Sequence, residues 1–163
     1  MKEALFGKTL SELQQVAAGC DLPKYTAGQM ADWLYKKDVA SIDEMSNLSK
    51  KARGLLASSY CIGVQSSINE VVSSDGTKKY LFPTLAGSFV EAACIPDKER
   101  LTLCLSTQVG CKMSCFFCMT GKQGFQGNLT AGEILNQYKS LPDQEKLTNI
   151  VYMGMGEPLD NIE

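Results

Sequence analysis

The stretch Cys104-Leu-Ser-Thr-Gln-Val-Gly-Cys111-Lys-Met-Ser-Cys115-Phe-Phe-Cys118-Met-Thr-Gly-Lys-Gln-Gly124 decides how the second half of the chain folds, because it places four of the seven cysteines between a strand pattern and a helix pattern. Three of them follow a C-x3-C-x2-C spacing, and an aromatic residue, Phe117, precedes the last. Thiols clustered this closely in a chain without a signal peptide favour metal ligands or reactive thiols over disulfides. The isolated Cys20, Cys61 and Cys94 are interpreted as small buried hydrophobic residues.

The segments that flank this stretch predict alternating strands and a helix. Residues 101–107 alternate in polarity, so three leucines point to one side of a strand while Cys104 and Ser106 point to the other. After the loop, Thr130-Ala-Gly-Glu133 is a capping box that opens a helix. Residues 149–153 then predict a buried strand that runs parallel to the first.

Two unusual loops therefore leave the carboxyl ends of adjacent parallel strands. One is the cysteine loop and the other is Gly154-Met-Gly-Glu-Pro158. Sheets and barrels of the α/β class place their active sites at this edge, so we expect both loops to contribute to one site.

The first 60 residues predict a group of short helices. A capping box at Thr9-Leu-Ser-Glu12 opens the first, Thr26-Ala-Gly-Gln29 opens the second, and Ser41-Ile-Asp-Glu44 caps a short third. A fourth carries apolar residues at helical spacing between positions 48 and 56. Basic residues at 36–37 and 50–53 lie near helix ends; such clusters usually form a solvated face, and contact with a nucleic-acid backbone is the alternative.

From residue 63 the apolar period becomes that of strands, which predicts a meander of about three strands with a turn at Ser74-Asp-Gly76. The third strand, residues 88–95, is expected to be broken by Pro96. Glu91 lies among its apolar residues, and a carboxylate on a strand usually faces solvent. The predicted domains are a helical accessory domain at 1–62, a β-meander connector at 63–97 and the start of a core domain at 98–163.

Composition excludes several classes of function. Histidine is absent, which rules out Ser-His-Asp and Cys-His nucleophiles and His-ligated zinc within this chain. The formal net charge is −2, yet residues 100–132 contain three basic residues and no acidic one. Such a window either favours anionic ligands or arises by chance over a short span. No apolar run approaches the ~20 residues of a membrane helix, so we expect a cytosolic protein that makes no membrane contact.

The cysteines allow two kinds of metal site. A structural zinc needs four ligands, and Cys104 could complete them. An iron–sulfur cubane needs only Cys111, Cys115 and Cys118, which leaves its fourth iron open to a further ligand. Apolar residues of the loop could exclude water from a cluster; these are Met113, Phe116, Phe117 and Met119.

The motifs resemble one family closely. The cysteine spacing at the end of a first βα strand is similar to the radical S-adenosylmethionine (SAM) superfamily. Longer pieces resemble its RlmN family, which methylates adenine C2 in 23S rRNA and tRNA. In the core these pieces are Leu103-Cys-Leu-Ser-Thr-Gln-Val-Gly-Cys111, Thr120-Gly-Lys-Gln-Gly-Phe125, Asn128-Leu-Thr130 and Met153-Gly-Met-Gly-Glu-Pro-Leu159. In the helical part they are Leu22-Pro-x-Tyr25-x-Ala27-x-Gln29, Trp33-x-Tyr35 and Leu48-x-Lys50.

The resemblance implies a fold and a set of roles. The fold class would be α+β followed by α/β: a small N-terminal helical domain that binds RNA, a β meander, and the first βαβ portion of a partial (β/α)6 radical SAM barrel, incomplete in this chain. SAM and a 4Fe–4S cluster would be the cofactors. The implied site residues are Cys111, Cys115 and Cys118 as cluster ligands, Gly156, Glu157 and Phe117 as SAM contacts, Glu91 as proton acceptor, and Cys104 as a resolving thiol that forms a transient disulfide.

The resemblance also implies partners and what the chain would lack. The partners are 23S rRNA, tRNA and an electron donor such as flavodoxin, and the protein is expected to be a cytoplasmic monomer. The family's methyl-carrying cysteine lies in its C-terminal part, so we expect this chain to be an N-terminal fragment that is inactive alone. The alternatives are a nucleic-acid-binding module stabilised by a zinc ion with four cysteine ligands, the related Cfr branch that methylates C8, and a fragment that only binds RNA.

Overall fold

The computed structural model describes residues 2–162, which form two compact units divided between Val64 and Gln65. The first unit is helical, as predicted. Its elements are β1 (Glu3–Ala4), α1 (Leu10–Gly19), α2 (Thr26–Lys36), α3 (Lys50–Ser59) and β2 (Tyr60–Cys61), with one 3-10 turn at Ile42–Glu44. β1 and β2 pair in parallel, so both ends of the unit are joined in one small sheet.

Two of the helix starts in this unit follow local capping chemistry. Thr9 and Glu12 form the predicted capping box at α1, and the Ser49 hydroxyl accepts the Ala52 N–H at α3. The second helix opens at Thr26 as predicted, but without a side-chain cap, since Tyr25 before it already has helical dihedral angles. Ser41 precedes the 3-10 turn and likewise makes no side-chain cap bond to it. Thr26 itself is buried.

The core of the first unit forms from the apolar faces of these helices. Its fully buried members include Leu13, Met30, Leu34 and Leu56. Cys20 and Cys61 are half-buried rather than buried, because Cys20 caps the C-terminus of α1 and Cys61 lies in the two-residue strand β2.

The second unit is built on a five-stranded sheet in the order β3-β4-β5-β6-β9. Its strands are β3 (Asn69–Val72), β4 (Lys78–Pro83), β5 (Phe89–Asp97), β6 (Arg100–Cys104) and β9 (Asn149–Val151). The first four are antiparallel neighbours, whereas β6 and β9 are parallel, as the sequence predicted. Smaller elements follow β6: β7 (Gln108–Val109), α4 (Met119–Lys122), β8 (Gly127–Asn128) and α5 (Ala131–Lys139), with 3-10 turns at Gln144–Lys146 and Pro158–Asp160.

The two faces of the large sheet have different environments. One face carries the core of the unit, including Tyr80, Phe82 and Leu103, and Ile134 and Tyr138 of α5 pack against it. The opposite face, here called the open face, carries side chains that are only partly buried or exposed. These are Lys79, Leu81, Glu91, Ala93, Thr102, Cys104 and Val151.

The polarity alternation of β6 is therefore confirmed, while three details of the prediction are wrong. β5 continues through Pro96, which pairs with Leu101 of β6; the first residue of β4, Lys78, lies opposite Cys94, so β4 has no residue paired with Pro96 that would need its N–H. β6 ends at Cys104. Residues 149–151 of β9 are exposed or half-buried, because β9 is the edge strand of the sheet over residues 65–162.

Candidate active site

The cysteine loop and the loop after β9 lie at the same edge of the sheet. The register pairs Leu103 with Ile150 and Cys104 with Val151, so both parallel strands end at the same level. Backbone bonds then extend this contact beyond the strands: the Thr107 N–H donates to the Met155 carbonyl at 2.8 Å, and the Gly154 N–H donates to the Leu105 carbonyl at 2.9 Å. The prediction that the two loops meet at the carboxyl ends of adjacent strands is confirmed.

Ser106 joins three segments at this edge. Its hydroxyl donates to the backbone carbonyl of Glu91 at 2.5 Å and accepts the Met155 N–H at 2.8 Å. Ser106 is completely buried, so both bonds lie away from solvent, where an unpaired polar group is costly. Ser106 therefore connects β5 to the Gly154–Glu157 loop.

Gln137 of α5 holds the backbone of Ser106 in turn. Its amide oxygen accepts the Ser106 N–H at 2.9 Å, and its amide nitrogen donates to the Ser106 carbonyl at 2.8 Å. This pair of bonds replaces the one that a neighbouring strand would make. Gln137 is 0% exposed, so α5 and the site are joined through buried hydrogen bonds.

Glycines allow the close approach of the second loop. A Cβ at Gly154 would lie 2.6 Å from the Leu105 carbonyl oxygen, and one at Gly156 would lie 2.6 Å from the Gln108 Cβ. Gly156 also has a φ of +98°, which side-chain-bearing residues rarely adopt. Glu157 follows it, and its carboxylate accepts the Leu159 N–H at 3.1 Å at the start of a 3-10 turn.

The cysteine loop is closed at its base by a similar contact. Gly110 has a φ of +75°, and a Cβ there would lie 1.7 Å from the Gly124 carbonyl oxygen. The antiparallel pair β7–β8 and the bond from the Gln126 N–H to the Val109 carbonyl hold the two ends together. The cysteines thus lie in a loop whose two ends are held together by the small β7–β8 sheet.

The three cysteines of the loop differ in exposure and in the state of their thiols. Cys111 is buried, Cys115 is exposed and Cys118 is half-buried. The backbone N–H of Gly121 and the N–H and hydroxyl of Thr120 hold the pKa of the Cys118 thiol below its ordinary value. Cys118 is therefore biased toward the thiolate, the form that binds metals.

The aromatic residues do not shield these thiols, contrary to the prediction. Phe116 is 96% exposed and Phe117 is 88% exposed, and Met113 and Met119 are exposed as well. The loop folds back only through short local bonds, such as the Cys118 N–H to the Cys115 carbonyl at 3.0 Å. A hydrophobic ring with so much surface in water is available to a ligand or to another segment.

The chemistry of this loop fits an iron–sulfur cluster. It offers three thiols within eight residues and no carboxylate, which is the donor set of a cluster with one open iron. Among residues 2–162, no three cysteine or acidic side chains lie close enough together to hold a metal ion. The cysteines therefore share a loop without forming a ready ligand cage, with or without Cys104.

Glu91 and Cys104 lie near each other on the open face. Cys104 pairs with Ala93, and Glu91 is two residues from Ala93 along β5, so the two are diagonal neighbours roughly 7–8 Å apart. The Glu91 carboxylate is half-exposed and accepts from the Lys79 ammonium at 3.0 Å. Burial raises the pKa of the Cys104 thiol above its ordinary value, which keeps the thiol protonated at neutral pH.

The sequence does not predict the buried polar residues that hold this edge together, Ser106, Gln108 and Gln137. The polarity alternation predicts only which side of the strand Ser106 faces, and no motif gives a role to the side chains of the two glutamines. The one available signal was a run of uncharged polar residues directly after a leucine-rich strand.

The structure describes no helix within residues 2–162 that is long and apolar enough to cross a membrane.

Comparison with protein families supports this arrangement. Residues 4–62 match the model of the ribosomal RNA large subunit methyltransferase N-terminal domain, and residues 105–163 match the radical SAM superfamily model. The fold resembles the crystal structure of a radical SAM methyltransferase from Sphaerobacter thermophilus, with a TM-score of 0.84 and 38% sequence identity. That similarity covers 98% of this chain and 49% of the other.

Curated relatives give the same result at higher identity. The probable dual-specificity RNA methyltransferase RlmN of Phocaeicola vulgatus is 56% identical over 162 residues, which cover 99% of this chain and 46% of the relative. The dual-specificity RNA methyltransferase RlmN of Desulfosudis oleivorans is 46% identical over 147 residues, or 88% of this chain and 40% of the relative. The chain thus spans about half the length of the curated relatives it matches. By these matches the chain belongs to the RlmN family and corresponds to the N-terminal part of its curated members.

Proposed function

We propose that this chain carries the cofactor-binding half of a radical SAM RNA methyltransferase that methylates adenine C2 in 23S rRNA and tRNA. The observation that supports it best is the meeting of the cysteine loop with the Gly154–Glu157 loop at one sheet edge, beside the open face that bears Glu91 and Cys104. The named relatives are RNA methyltransferases, which agrees with an RNA substrate.

In this proposal Cys111, Cys115 and Cys118 hold a 4Fe–4S cluster, and Gly156, Glu157 and Phe117 bind SAM. A bound cluster with SAM would supply the one-electron chemistry that a carbon such as adenine C2, neither acidic nor nucleophilic, requires. The lack of a side chain at Gly156 lets this loop pack against Gln108, and the second oxygen of the Glu157 carboxylate offers an acceptor for an ammonium group. Phe117 offers an exposed ring for stacking.

Glu91 acts as the proton acceptor. With no histidine in the chain, a carboxylate is the available side chain that is ionised at neutral pH and can take a proton from C2. Lys79, 3.0 Å away, orients the carboxylate on the open face. The half-exposed position of Glu91 leaves room for the substrate adenine to approach its carboxylate.

Cys104 acts as the resolving thiol. In the scheme implied by the family, the substrate becomes linked to a methyl-carrying cysteine of the C-terminal part. The Cys104 thiol, on losing its proton, would then attack the sulfur of that cysteine: the S–S bond forms, the S–C bond to the substrate breaks, and its electron pair takes up a proton to complete the methyl group. Burial keeps the Cys104 thiol protonated, so it stays unreactive until its proton is removed.

We further propose that the whole protein is a cytoplasmic monomer that receives electrons from a donor such as flavodoxin. Residues 1–62 are its accessory RNA-binding domain, residues 63–97 are a connector, and residues 98–163 begin the (β/α)6 core.

A methylation assay on a protein that joins this chain to the second half found in its relatives tests the proposal. Glu91→Gln is expected to abolish 2-methyladenine in a 23S rRNA fragment, whereas Glu99→Gln, which alters an exposed carboxylate at the β5–β6 turn, keeps activity. Cys104→Ala is expected to accumulate a covalent protein–RNA species, with Cys61→Ala as its control. Methylation at C8 instead of C2, read by mass spectrometry of the nucleosides, would contradict the assigned specificity.

A further inference from the structure

Gln108 is a completely buried polar side chain that the roles above do not use. It begins β7, three residues before Cys111. Its position places it between the cysteine loop and the loop after β9.

Three hydrogen bonds satisfy the Gln108 amide, two with the segment after β9 and one with β8. Its oxygen accepts the Glu157 N–H at 3.0 Å. Its nitrogen donates to the Asn128 side-chain oxygen at 2.9 Å and to the Asp160 carboxylate at 2.8 Å. Glutamine suits this place because it offers an acceptor and two donors at once, which neither glutamate nor an apolar residue of similar size can do.

The contact with Gly156 shows how tightly the second loop sits on Gln108. A Cβ at Gly156 would lie 2.6 Å from the Gln108 Cβ and 2.7 Å from its backbone nitrogen. The Gly156–Glu157 pair therefore takes its position directly from Gln108.

Asp160 continues the network to the cysteine loop. Its carboxylate also accepts from the Lys112 ammonium at 2.9 Å, and Lys112 follows Cys111 directly. The same ammonium lies 4.4 Å from the centroid of the Phe125 ring, on the returning side of the loop. A continuous path thus runs from the residue beside Cys111 to the N–H of Glu157.

We propose that Gln108 is a positioning residue that, through Asp160 and Lys112, couples the cysteine loop to the Gly156–Glu157 loop. This inference rests on the proposed function, because it gives the coupling its purpose: a SAM molecule that touches both loops needs them held in one geometry. Ordering of the cysteine loop then slows hydrogen exchange at the Glu157 amide. Loss of Gln108, Asp160 or Lys112 makes that exchange faster.

Hydrogen exchange at the Glu157 amide of the cluster-free chain tests the coupling. Lys112→Gln removes one end of the network at a half-exposed position, so the chain keeps its core. We expect the Glu157 amide to exchange about threefold faster or more, the range for residues in one network. Lys122→Gln removes the same charge from the same loop outside the network and is expected to leave the rate unchanged. Equal rates in the two variants would overturn the proposal.

A second test swaps the hydrogen-bond donor and acceptor between positions 108 and 160. Gln108→Glu places a carboxylate against Asp160 and is expected to raise the Glu157 rate roughly tenfold, as for a lost hydrogen bond. Adding Asp160→Asn restores a donor opposite the new carboxylate but still lacks the Lys112 ion pair, so the Glu157 exchange rate should fall back to about the threefold increase expected for Lys112→Gln. If the Glu157 amide exchanged as fast in the double variant as in Gln108→Glu, a specific hydrogen-bond network would be contradicted.

The same readout separates this inference from the proposed function. Anaerobic reconstitution with iron and sulfide is expected to slow exchange at Glu157 in the wild-type chain but not in Asp160→Asn. If the chain takes up no cluster, the assignment of the cysteines fails, while the comparison of Lys112→Gln with Lys122→Gln still decides the coupling. If a cluster forms and Glu157 responds equally in both proteins, the coupling is wrong and the cluster assignment stands.

Discussion

At the scale of single residues, the candidate site contains thiols in contrasting environments. Cys118 sits against backbone N–H groups that favour its thiolate, while Cys104 is kept protonated by burial. The sequence identified both from motif spacing and family resemblance. It could not predict Ser106, Gln108 or Gln137, because uncharged polar side chains carry no periodic signal and their partners come from segments far apart in the chain.

Thiol alkylation tests whether burial controls thiol reactivity, by comparing buried Cys94 with exposed Cys115. Burial raises the pKa of Cys94 to about 11. Because the thiolate is the reactive form, at pH 8 only about one Cys94 in a thousand is reactive. Iodoacetamide should therefore label exposed Cys115 rapidly and leave Cys94 unmodified until the pH rises by several units. Labelling of both at the same rate in the native chain, followed by mass spectrometry, would contradict the structure.

At the scale of elements, local sequence chemistry predicted most helix starts and strands. The capping boxes at Thr9 and Thr130 are present, and the meander and the parallel β6–β9 pair form as expected. The predictions that failed depend on tertiary context. β5, expected to break at Pro96, continues to Asp97 by pairing with β6, and β9, expected to be buried, lies at the edge of the described sheet.

The α1 capping box makes a prediction about stability and pH. Thr9→Ala should lower the free energy of unfolding by about 1 kcal/mol at pH 7. The Thr9 N–H and hydroxyl hold the pKa of Glu12 below its ordinary value, so the contribution of this carboxylate is full above pH 4.5 and is lost as the pH falls through its lowered pKa. The difference between wild type and variant should therefore shrink in acid. Ser11→Ala, in the exposed first turn, is the control; a pH-independent difference in urea titrations would argue against the box.

The base of the cysteine loop gives a second prediction at this scale. Gly110→Ala forces a Cβ into the Gly124 carbonyl at a positive φ, and should destabilise the second unit by at least about 2 kcal/mol. Gly127→Ala, where no atom lies within 4 Å of the added Cβ, should change stability little. Similar midpoints for the two variants in thermal unfolding would show that the loop does not close in this way.

At the scale of the whole molecule, the chain combines a helical unit with the first strands of a radical SAM fold, and RNA binding is the property that the first unit is proposed to contribute. The Arg53 guanidinium donates to the Asp43 carbonyl, so this residue stabilises its own unit. Lys50 and Lys51 are exposed at the start of α3. Their replacement by Gln should weaken binding of a 23S rRNA hairpin and lower the slope of log affinity against log salt by about 0.7–0.9 per lost contact. Lys98→Gln is the matched control, and an unchanged slope would place the RNA elsewhere.

We propose that Cys111, Cys115 and Cys118, without Cys104, hold an iron–sulfur cluster. Anaerobic reconstitution of the wild-type chain and of Cys104→Ala with iron and sulfide, in competition with zinc, tests this ligand set. Both proteins are expected to acquire a broad visible absorbance that dithionite bleaches, and Cys115→Ala is not. Tight binding of one zinc per chain by the wild type, lost in Cys104→Ala and with no such absorbance, would contradict it.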